Sequence, residues 1–293
     1  PNDTAKLFSP TPLNSELLIT GENGNLEKMK LKKLDVRTKI VGTMAHTELE
    51  FIFHNPNKNE LEGQFYFPLG EGKTLTRLAM EIEGKLREGV IVEKEKGRVA
   101  FESTVRKKID PALLEWTEGN NFKARVFPIP AKGDKRIVIA YEENLFFYKN
   151  ESIYQLNLGF KEKVEQFSYS STISSSDIYP TLNYNKLDGI EFSVMDNKFT
   201  SILSKSNYKP NDLIAIGLPV ASKEQKVFTY EENGDNYFFT TIYQDILSQE
   251  KRKPKKIGVF WDVSNSGSDK QKEIEALTSY LKTFDSKVIV DFI

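Results

Sequence analysis

The sequence contains no cysteine, only two histidines, and no apolar run long enough to cross a bilayer. Without cysteine, disulfides, thiolate zinc sites and cysteine nucleophiles are excluded. A membrane-spanning helix needs about 18 or more consecutive apolar residues, and no segment approaches that length. Any membrane attachment would therefore come from segments outside this chain.

The sequence also has almost no net charge, because it contains 41 basic and 42 acidic residues. Such a balance gives no field that attracts phosphate backbones, so we expect no nucleic-acid partner. The dense basic run "KRKPKK", residues 251–256, is typical of a solvated linker. The chain is nevertheless 39% hydrophobic and 12% aromatic, which indicates folded cores rather than disorder.

Alternating apolar and polar residues predict β-strands over most of the chain. In "AHTELEFIFHNP", Thr47, Leu49, Phe51 and Phe53 fall on one face, as in a half-buried strand. Similar segments, separated by turn residues, continue to about residue 250. The segment Glu93–Lys108 is rich in helix-forming residues and predicts one helix within this region.

The last segment changes class. "KIGVFW" and "KVIVDFI" are apolar on both faces, as strands covered on both sides are, and a helical stripe lies between them. This order predicts a βαβ unit at the start of a parallel sheet. Because little chain follows, we expect the unit to be truncated and its strands to pack on the β region or self-associate with a second copy.

The turn after "KIGVFW" carries candidate metal ligands. Asp262, Ser264 and Ser266 follow a buried strand and precede a helix pattern, and they offer one carboxylate and two hydroxyls. Hard oxygen donors of this kind suit Mg²⁺. The alternative is a polar loop between strand and helix.

Another stretch, "PLGEGKTLTR" (residues 68–77), resembles the end of a phosphate-binding loop. The full motif needs glycine at position 67, where Phe67 stands, and no helix pattern follows. The pattern therefore favours a glycine-containing hairpin turn.

Two further sets of residues have ordinary explanations. His46 and His54 share a face with Glu48 and Glu50, which could form a metal cluster but is typical of a solvated sheet face. Asp110 and Glu115 could act as a carboxylate pair, or could be a helix stop and an outward strand residue.

Several blocks in order resemble the VIT domain, the vault and inter-α-trypsin inhibitor heavy-chain module. They include "LDVRTKIVGTMAHTELEFIFHNP", "LEGQFYFPLGEGKTLTRLAMEIEG", "ALLEW" and "NFKARVFPIPAKGDKRIVIAYEE", spanning residues 34–145. The turn at Asp262, Ser264 and Ser266 resembles the first loop of the metal-ion-dependent adhesion site of a von Willebrand factor type A domain. In that family a threonine and an aspartate from later loops complete the site.

The resemblance implies a mainly β fold: an antiparallel sandwich-like VIT domain with one helix, a second β-rich region, and a truncated βαβ piece of a von Willebrand A domain. We expect a lead-in over residues 1–30, the VIT domain over 31–147, the second β-rich subdomain over 148–250 and the βαβ piece over 251–293, as the front of a longer protein.

The function implied is a non-enzymatic, extracytoplasmic adhesion or scaffolding protein that binds protein partners. Its nearest type is a bacterial surface protein associated with exosortase sorting. We expect no cofactor in this chain and Mg²⁺ or another divalent cation in the full-length protein. A carbohydrate-active or other hydrolytic β-domain with surface carboxylates, and an intracellular vault-like scaffold, are the alternatives.

Overall fold

A computed structural model of the chain describes residues 12–21, 24–91, 113–117, 119–174, 178–220, 227–242, 255–260, 270–284 and 288–292. The chain divides into two compact units, Pro1–Tyr243 and Gln244–Ile293. The helix predicted over Glu93–Lys108 lies outside the described residues. The mainly β fold predicted from the sequence is confirmed.

The first unit is built from strands. Those within its described residues are β1 Glu16–Thr20, β2 Leu26–Lys28, β3 Lys30–Val41, β4 Met44–His54, β5 Leu61–Pro68, β6 Lys73–Ile82, β7 Lys85–Glu88, β8 Val90–Ile91, β9 Leu113–Thr117, β10 Asn121–Ile129, β11 Asp134–Asn144, β12 Phe146–Tyr148, β13 Glu151–Asn157, β14 Val164–Ser174, β15 Ser193–Met195, β16 Lys198–Tyr208, β17 Leu213–Pro219, β18 Val227–Glu232 and β19 Asp235–Thr240.

The largest sheet has eight strands in the order β15-β16-β14-β3-β4-β11-β6-β7. Its neighbours are antiparallel except for β14 and β3, which run parallel. The subdomain boundary expected near Tyr148 lies within the first compact unit, and strands from both sides of it pair in the eight-stranded sheet. The physical reason is burial: Phe167 and Tyr169 of β14 point into the same core as the inward side chains of β3.

Three smaller sheets complete this unit. Six strands pair in the order β2-β1-β5-β10-β9-β8, three in the order β12-β13-β17, and β18 pairs with β19 alone. The second edge of β17 is covered, because Gly217 and Thr181 exchange backbone hydrogen bonds of 2.9 and 2.8 Å. The Asn185 side chain also accepts a hydrogen bond from the Ala215 amide at 3.2 Å. An edge covered in this way is closed to pairing with another chain.

The "PLGEGKT" turn joins two sheets, so the predicted hairpin is wrong. Strand β5 lies in the six-stranded sheet and β6 in the eight-stranded sheet. Gly70 and Gly72 have positive φ angles of 81° and 76°, which glycine adopts without strain. The Asn120 side chain closes the turn by donating to the carbonyls of Gly70 and Lys73 at 2.6 and 2.9 Å. The chain crosses here because β5 supplies the opposite wall of the core.

A phenylalanine cluster fills the space between the two larger sheets. Phe51 and Phe53 of β4 meet Phe65 of β5 with ring centroids 5.4 and 6.0 Å apart. The predicted inward face of β4 is confirmed, since Thr47, Leu49, Phe51 and Phe53 are each at most 1% exposed. Full burial of one such aromatic side chain stabilises the fold by roughly 2 kcal/mol.

The other half of the core is crossed by a row of buried hydroxyls, which we name the hydroxyl row. Its members lie opposite one another on β16, β14, β3, β4 and β11: Ser201, Ser171, Thr38, Thr47 and Tyr141. Tyr154 of β13 closes over the row, with its hydroxyl 3.0 Å from Thr38 Oγ1 and 2.9 Å from Thr47 Oγ1. A buried polar network is stable only when its partners align, so these bonds fix the three-stranded sheet against the eight-stranded one.

The second unit has the order strand, helix, strand. Strand β20 (Lys256–Val259) and strand β21 (Ile289–Phe292) pair in parallel, and helix α1 (Lys270–Leu281) lies between them in the chain. Lys256 and Asp291 form an ion pair of 2.5 Å across the two strands. The order and the parallel pairing are those that the sequence predicts for this segment.

Candidate functional site

The predicted metal ligands Asp262, Ser264 and Ser266 lie outside the described residues. The elements on either side of them are described, because β20 ends at Val259 and α1 begins at Lys270. Since β20 and β21 are parallel, their carboxyl ends share one edge of the sheet. In open parallel sheets ligands bind beyond that edge. The three residues therefore follow a strand end that is suited to a binding loop.

The donor atoms of Asp262, Ser264 and Ser266 are of the kind that suits a hard divalent cation. One carboxylate and two hydroxyls are all oxygen donors, which Mg²⁺ and Mn²⁺ prefer, whereas zinc and copper favour nitrogen or sulfur. Three donors fill half of an octahedral shell. Affinity for such ions rises with the number and charge of the ligands, so Asp262, Ser264 and Ser266 on their own would bind the cation weakly.

The two histidines are held in separate ion pairs. His54 Nδ1 lies 2.7 Å from Asp134 Oδ1, and Lys32 donates to the same carboxylate at 2.8 Å. Burial alone would raise the pKa of Asp134, but these hydrogen bonds lower it overall. His46 Nδ1 lies 3.5 Å from Glu142 Oε1. Within the described residues no group of three acidic or histidine side chains could hold a metal, so the histidine cluster considered from the sequence does not form there.

Glu48 and Glu50 belong instead to a ladder of ion pairs on the open face of the eight-stranded sheet, which we name the charged face. Arg77 and Arg37 bind Glu48 at 2.7 and 3.0 Å. Arg136 binds Glu50 at 2.7 Å. The arginines are partly exposed, whereas Glu50 is only 6% exposed. Ion pairs that reach the surface each stabilise a fold by about 1 kcal/mol at most. Because the carboxylates of Glu48 and Glu50 are paired with arginine, these two side chains are not free to act as metal ligands.

The carboxylate pair considered from the sequence stays a prediction. Asp110 lies outside the described residues. Glu115 belongs to β9, where it stands opposite Lys123 of β10.

A buried ion pair that sequence reasoning missed lies beside the hydroxyl row. Lys73 Nζ is 3.8 Å from Glu143 Oε1, with side-chain exposures of 12% and 13%. The same ammonium is 4.8 Å from the centre of the Tyr141 ring. Burial raises the pKa of Glu143 to about 7 and lowers that of Lys73, although each charge opposes the shift of the other. The available signal was the alternation of β11, which places Glu143 on the inward face with Tyr141.

The hairpin formed by β18 and β19 meets this end of the unit. Thr43 Oγ1 and Thr241 Oγ1 are 2.8 Å apart. A cavity of about 320 Å³ lies beside this bond, and Leu145, Phe147 and Phe239 are among the residues that line it. The mixed lining and the hydrogen bond mark where the hairpin attaches to the rest of the unit.

Comparison with protein families gives one match. Residues 31–141 match the family model of the vault protein inter-alpha-trypsin domain. The matched range runs from β3 into β11 and covers β3, β4, β6, β7 and most of β11 of the eight-stranded sheet, together with β5 and β10, whereas β14, β15 and β16 of that sheet lie outside it. The match supports a VIT domain in this part of the chain, as the resemblance implied. No curated protein matches the sequence significantly.

Comparison with solved structures gives distant likenesses. A candidate nutrient-binding protein from Legionella pneumophila shares 11% identity and a TM-score of 0.43, covering 72% of this chain and 73% of that one. An M1 zinc metallopeptidase from Deinococcus radiodurans shares 7% identity and a TM-score of 0.37, covering 90% of this chain and 55% of that one. A candidate protease from Parabacteroides distasonis shares 8% identity and a TM-score of 0.35, covering 64% of this chain and 39% of that one.

This chain thus spans about half the length of the metallopeptidase. Identities and scores at this level give no basis for transferring a substrate or an activity to this chain.

Proposed function

We propose that this chain is a non-enzymatic protein-interaction module in which the β unit supports a metal-dependent binding domain of the von Willebrand A type. The match of residues 31–141 to the VIT family favours an interaction role of the vault and inter-alpha-trypsin type. The observation that carries the metal-dependent part is the parallel β20–β21 pair, with Asp262, Ser264 and Ser266 in the segment between β20 and α1.

In this proposal the cation links the chain to its partner. Asp262, Ser264 and Ser266 would hold Mg²⁺ or Mn²⁺ through one charged and two neutral oxygens. A bound divalent cation supplies a positive centre with exchangeable water positions, which a carboxylate of a partner protein can occupy. The role of the three side chains is to fix the cation at the carboxyl edge of the sheet.

The β unit acts as a rigid support. Its phenylalanine cluster and hydroxyl row bind the sheets together, and ion pairs across neighbouring strands stiffen the charged face. The covered edge of β17 prevents unwanted strand pairing there. A support of this kind presents a binding domain without changing shape itself.

The proposed location is the cell surface or periplasm, with attachment through a sorting signal or anchor. No helix among the described residues is long and apolar enough to cross a membrane. Protease digestion of intact cells and of spheroplasts, compared with fully lysed cells, tests the location. Cleavage of the protein only after lysis of the spheroplasts would contradict it.

Titration calorimetry with Mg²⁺ and Mn²⁺ tests the metal-dependent part on the chain as it stands. We expect millimolar or weaker binding, because one turn supplies only three ligands. Asp262→Ala should abolish the heat of binding, whereas Glu60→Ala, which removes an exposed carboxylate in the other unit, should leave it unchanged. Equal effects of the two substitutions would contradict a site at the turn. Micromolar binding lost in Asp262→Ala would mean a more complete site than we propose.

A further inference from the structure

The hairpin of β18 and β19 has one face with a regular pattern, which we name the aromatic–acidic face. Cross-strand partners in an antiparallel pair share a face, and so do residues two apart on one strand. Three cross-strand pairs lie on this face in order from base to tip: Phe228 with Phe239, Tyr230 with Tyr237, and Glu232 with Asp235. An aromatic base, an aromatic middle and an acidic tip thus form a single ladder.

The base of the ladder is fixed. The rings of Phe228 and Phe239 stack with centroids 6.0 Å apart. Phe228 also packs on the turn between β3 and β4 so closely that a Cβ on Gly42 would lie 2.7 Å from its ring. Together with the hydrogen bond between Thr43 and Thr241, these contacts hold the hairpin by its base.

The middle and tip are open to solvent. Tyr230 and Tyr237 are 63% and 54% exposed. Among the described residues no cation lies over either ring, although four other lysine–tyrosine contacts of that kind occur there. Tyr230 and Tyr237 are cross-strand partners, and the face of each exposed aromatic ring carries negative charge density.

The hairpin carries charge of one sign. Residues 227–240 include Glu231, Glu232 and Asp235 and contain no lysine or arginine. In the part of the chain that the structure describes, none of the three carboxylates has an ion-pair partner. Glu48 and Glu50 on the charged face, by contrast, each bind arginine. The hairpin tip is therefore a local negative centre in a chain whose total charge is close to zero.

We propose that the aromatic–acidic face binds an extended basic segment of a partner protein. Lysine or arginine side chains would lie over Tyr230 and Tyr237, where a cation is attracted to the ring face. Neighbouring basic residues would pair with the carboxylates of Glu232 and Asp235, and the segment could add as a strand beside the hairpin. A second copy of this chain fits less well, because it would bring the same negative tip against this one.

This inference deepens the proposed interaction role and rests on it, but it uses a surface distinct from the turn at Asp262. Binding at the hairpin requires no divalent cation. Peptide binding at the hairpin and cation binding at Asp262 can therefore be lost independently, which separates failure of the hairpin site from failure of the metal site.

The test uses the full chain and a fluorescent peptide of alternating lysine and valine, with a peptide of alternating glutamate and valine as its counterpart. Fluorescence polarisation at low ionic strength measures binding. The triple variant Glu231→Gln, Glu232→Gln, Asp235→Asn should weaken binding of the lysine peptide by about tenfold or more, because it removes the two carboxylates of the aromatic–acidic face together with the nearby charge of Glu231.

The control variant removes three exposed carboxylates elsewhere, Glu60→Gln, Glu71→Gln and Glu191→Gln, and so changes the net charge equally. It should bind like the parent chain. A second variant, Tyr230→Leu with Tyr237→Leu, keeps apolar side chains on the strands and should still lower affinity severalfold. Amide NMR signals of residues 227–240 report whether the hairpin is retained in each variant.

The expected result is binding of the lysine peptide alone, weakened by salt, unchanged by EDTA and selectively lost in the hairpin variants. Equal weakening by the two triple variants would overturn the proposal, since it would reflect net charge alone. Binding of the glutamate peptide with similar affinity would also overturn it. So would a dimer in sedimentation experiments that the hairpin variants dissociate, because the occupant would then be a second copy.

Discussion

The ammonium group of Lys73 lies 3.8 Å from the carboxylate of Glu143 in a nearly solvent-free environment beside the hydroxyl row. Burial penalises both charges, which raises the pKa of Glu143 to about 7 despite its partner. Because a buried carboxyl group titrates near neutral pH, the free energy of unfolding of this chain should depend on pH in that range.

The first prediction is that the chain is more stable at pH 5 than at pH 8. The pKa of Glu143 rises from 4.5 to about 7 on folding, so the folded state binds the proton more tightly. The stability that this supplies is fully present below the unfolded pKa and is lost as pH rises through the folded one. We expect a loss of about 2 kcal/mol in the free energy of unfolding, measured by urea denaturation.

Glu143→Gln should remove this component of the pH dependence. Glu191→Gln is the control, because it removes an exposed carboxylate of the same unit that has no ion-pair partner among the described residues. If Glu143→Gln has the same pH dependence as the parent chain, the Glu143 carboxyl does not titrate as the structure indicates.

The second prediction concerns two buried tyrosines. Tyr154→Phe should lower the free energy of unfolding by about 1–3 kcal/mol, because it leaves Thr38 and Thr47 without the hydroxyl that bonds them. Tyr141→Phe should be neutral or stabilising, since the Tyr141 hydroxyl is buried and makes no hydrogen bond of normal geometry within the part of the chain that the structure describes. Thermal and urea denaturation of the two variants check this order. A reversed order would refute the arrangement of the hydroxyl row.

The third prediction concerns the join between β1 and β5. Strand β1 lies before the range that matches the VIT family, yet it pairs with β5 in the six-stranded sheet. A Cβ at Gly63 would lie 2.8 Å from the Leu18 carbonyl oxygen, so Gly63→Ala must push the two strands apart. We expect a loss of about 2 kcal/mol or more in unfolding free energy.

Gly84→Ala is the comparison, because Gly84 has a positive φ of 75° and open space around it. Backbone strain alone should lower the unfolding free energy there by about 1 kcal/mol. Gly63→Ala with no effect would mean that β1 is not held against β5.

Local periodicity predicted the strands well, because the alternation of apolar and polar residues along a strand shows which of its faces is buried. The alternation of Thr47, Leu49, Phe51 and Phe53 needed no knowledge of the partner strands. The order strand, helix, parallel strand in the second unit was also predictable, because a strand with apolar residues on both faces and a helical apolar stripe are distinct patterns in the sequence.

Long-range pairing was not predictable. The parallel contact between β14 and β3 joins segments more than 100 residues apart, on either side of the boundary expected near Tyr148, and no local pattern indicates that the two strands pair. The turn at Gly70 and Gly72 has the same local chemistry whether the next strand joins the same sheet or the opposite one. Periodicity placed Glu143 inward but could not name Lys73 as its partner.

The central claim, a cation held at the turn after β20, is tested most directly by paramagnetic broadening of backbone amide NMR signals with Mn²⁺. We predict that low Mn²⁺ concentrations broaden the signals of residues 261–269 first, that excess Mg²⁺ reverses the effect, and that Asp262→Ala abolishes it. Broadening centred on other carboxylates, such as those of the hairpin tip, or unchanged in Asp262→Ala, would contradict the claim.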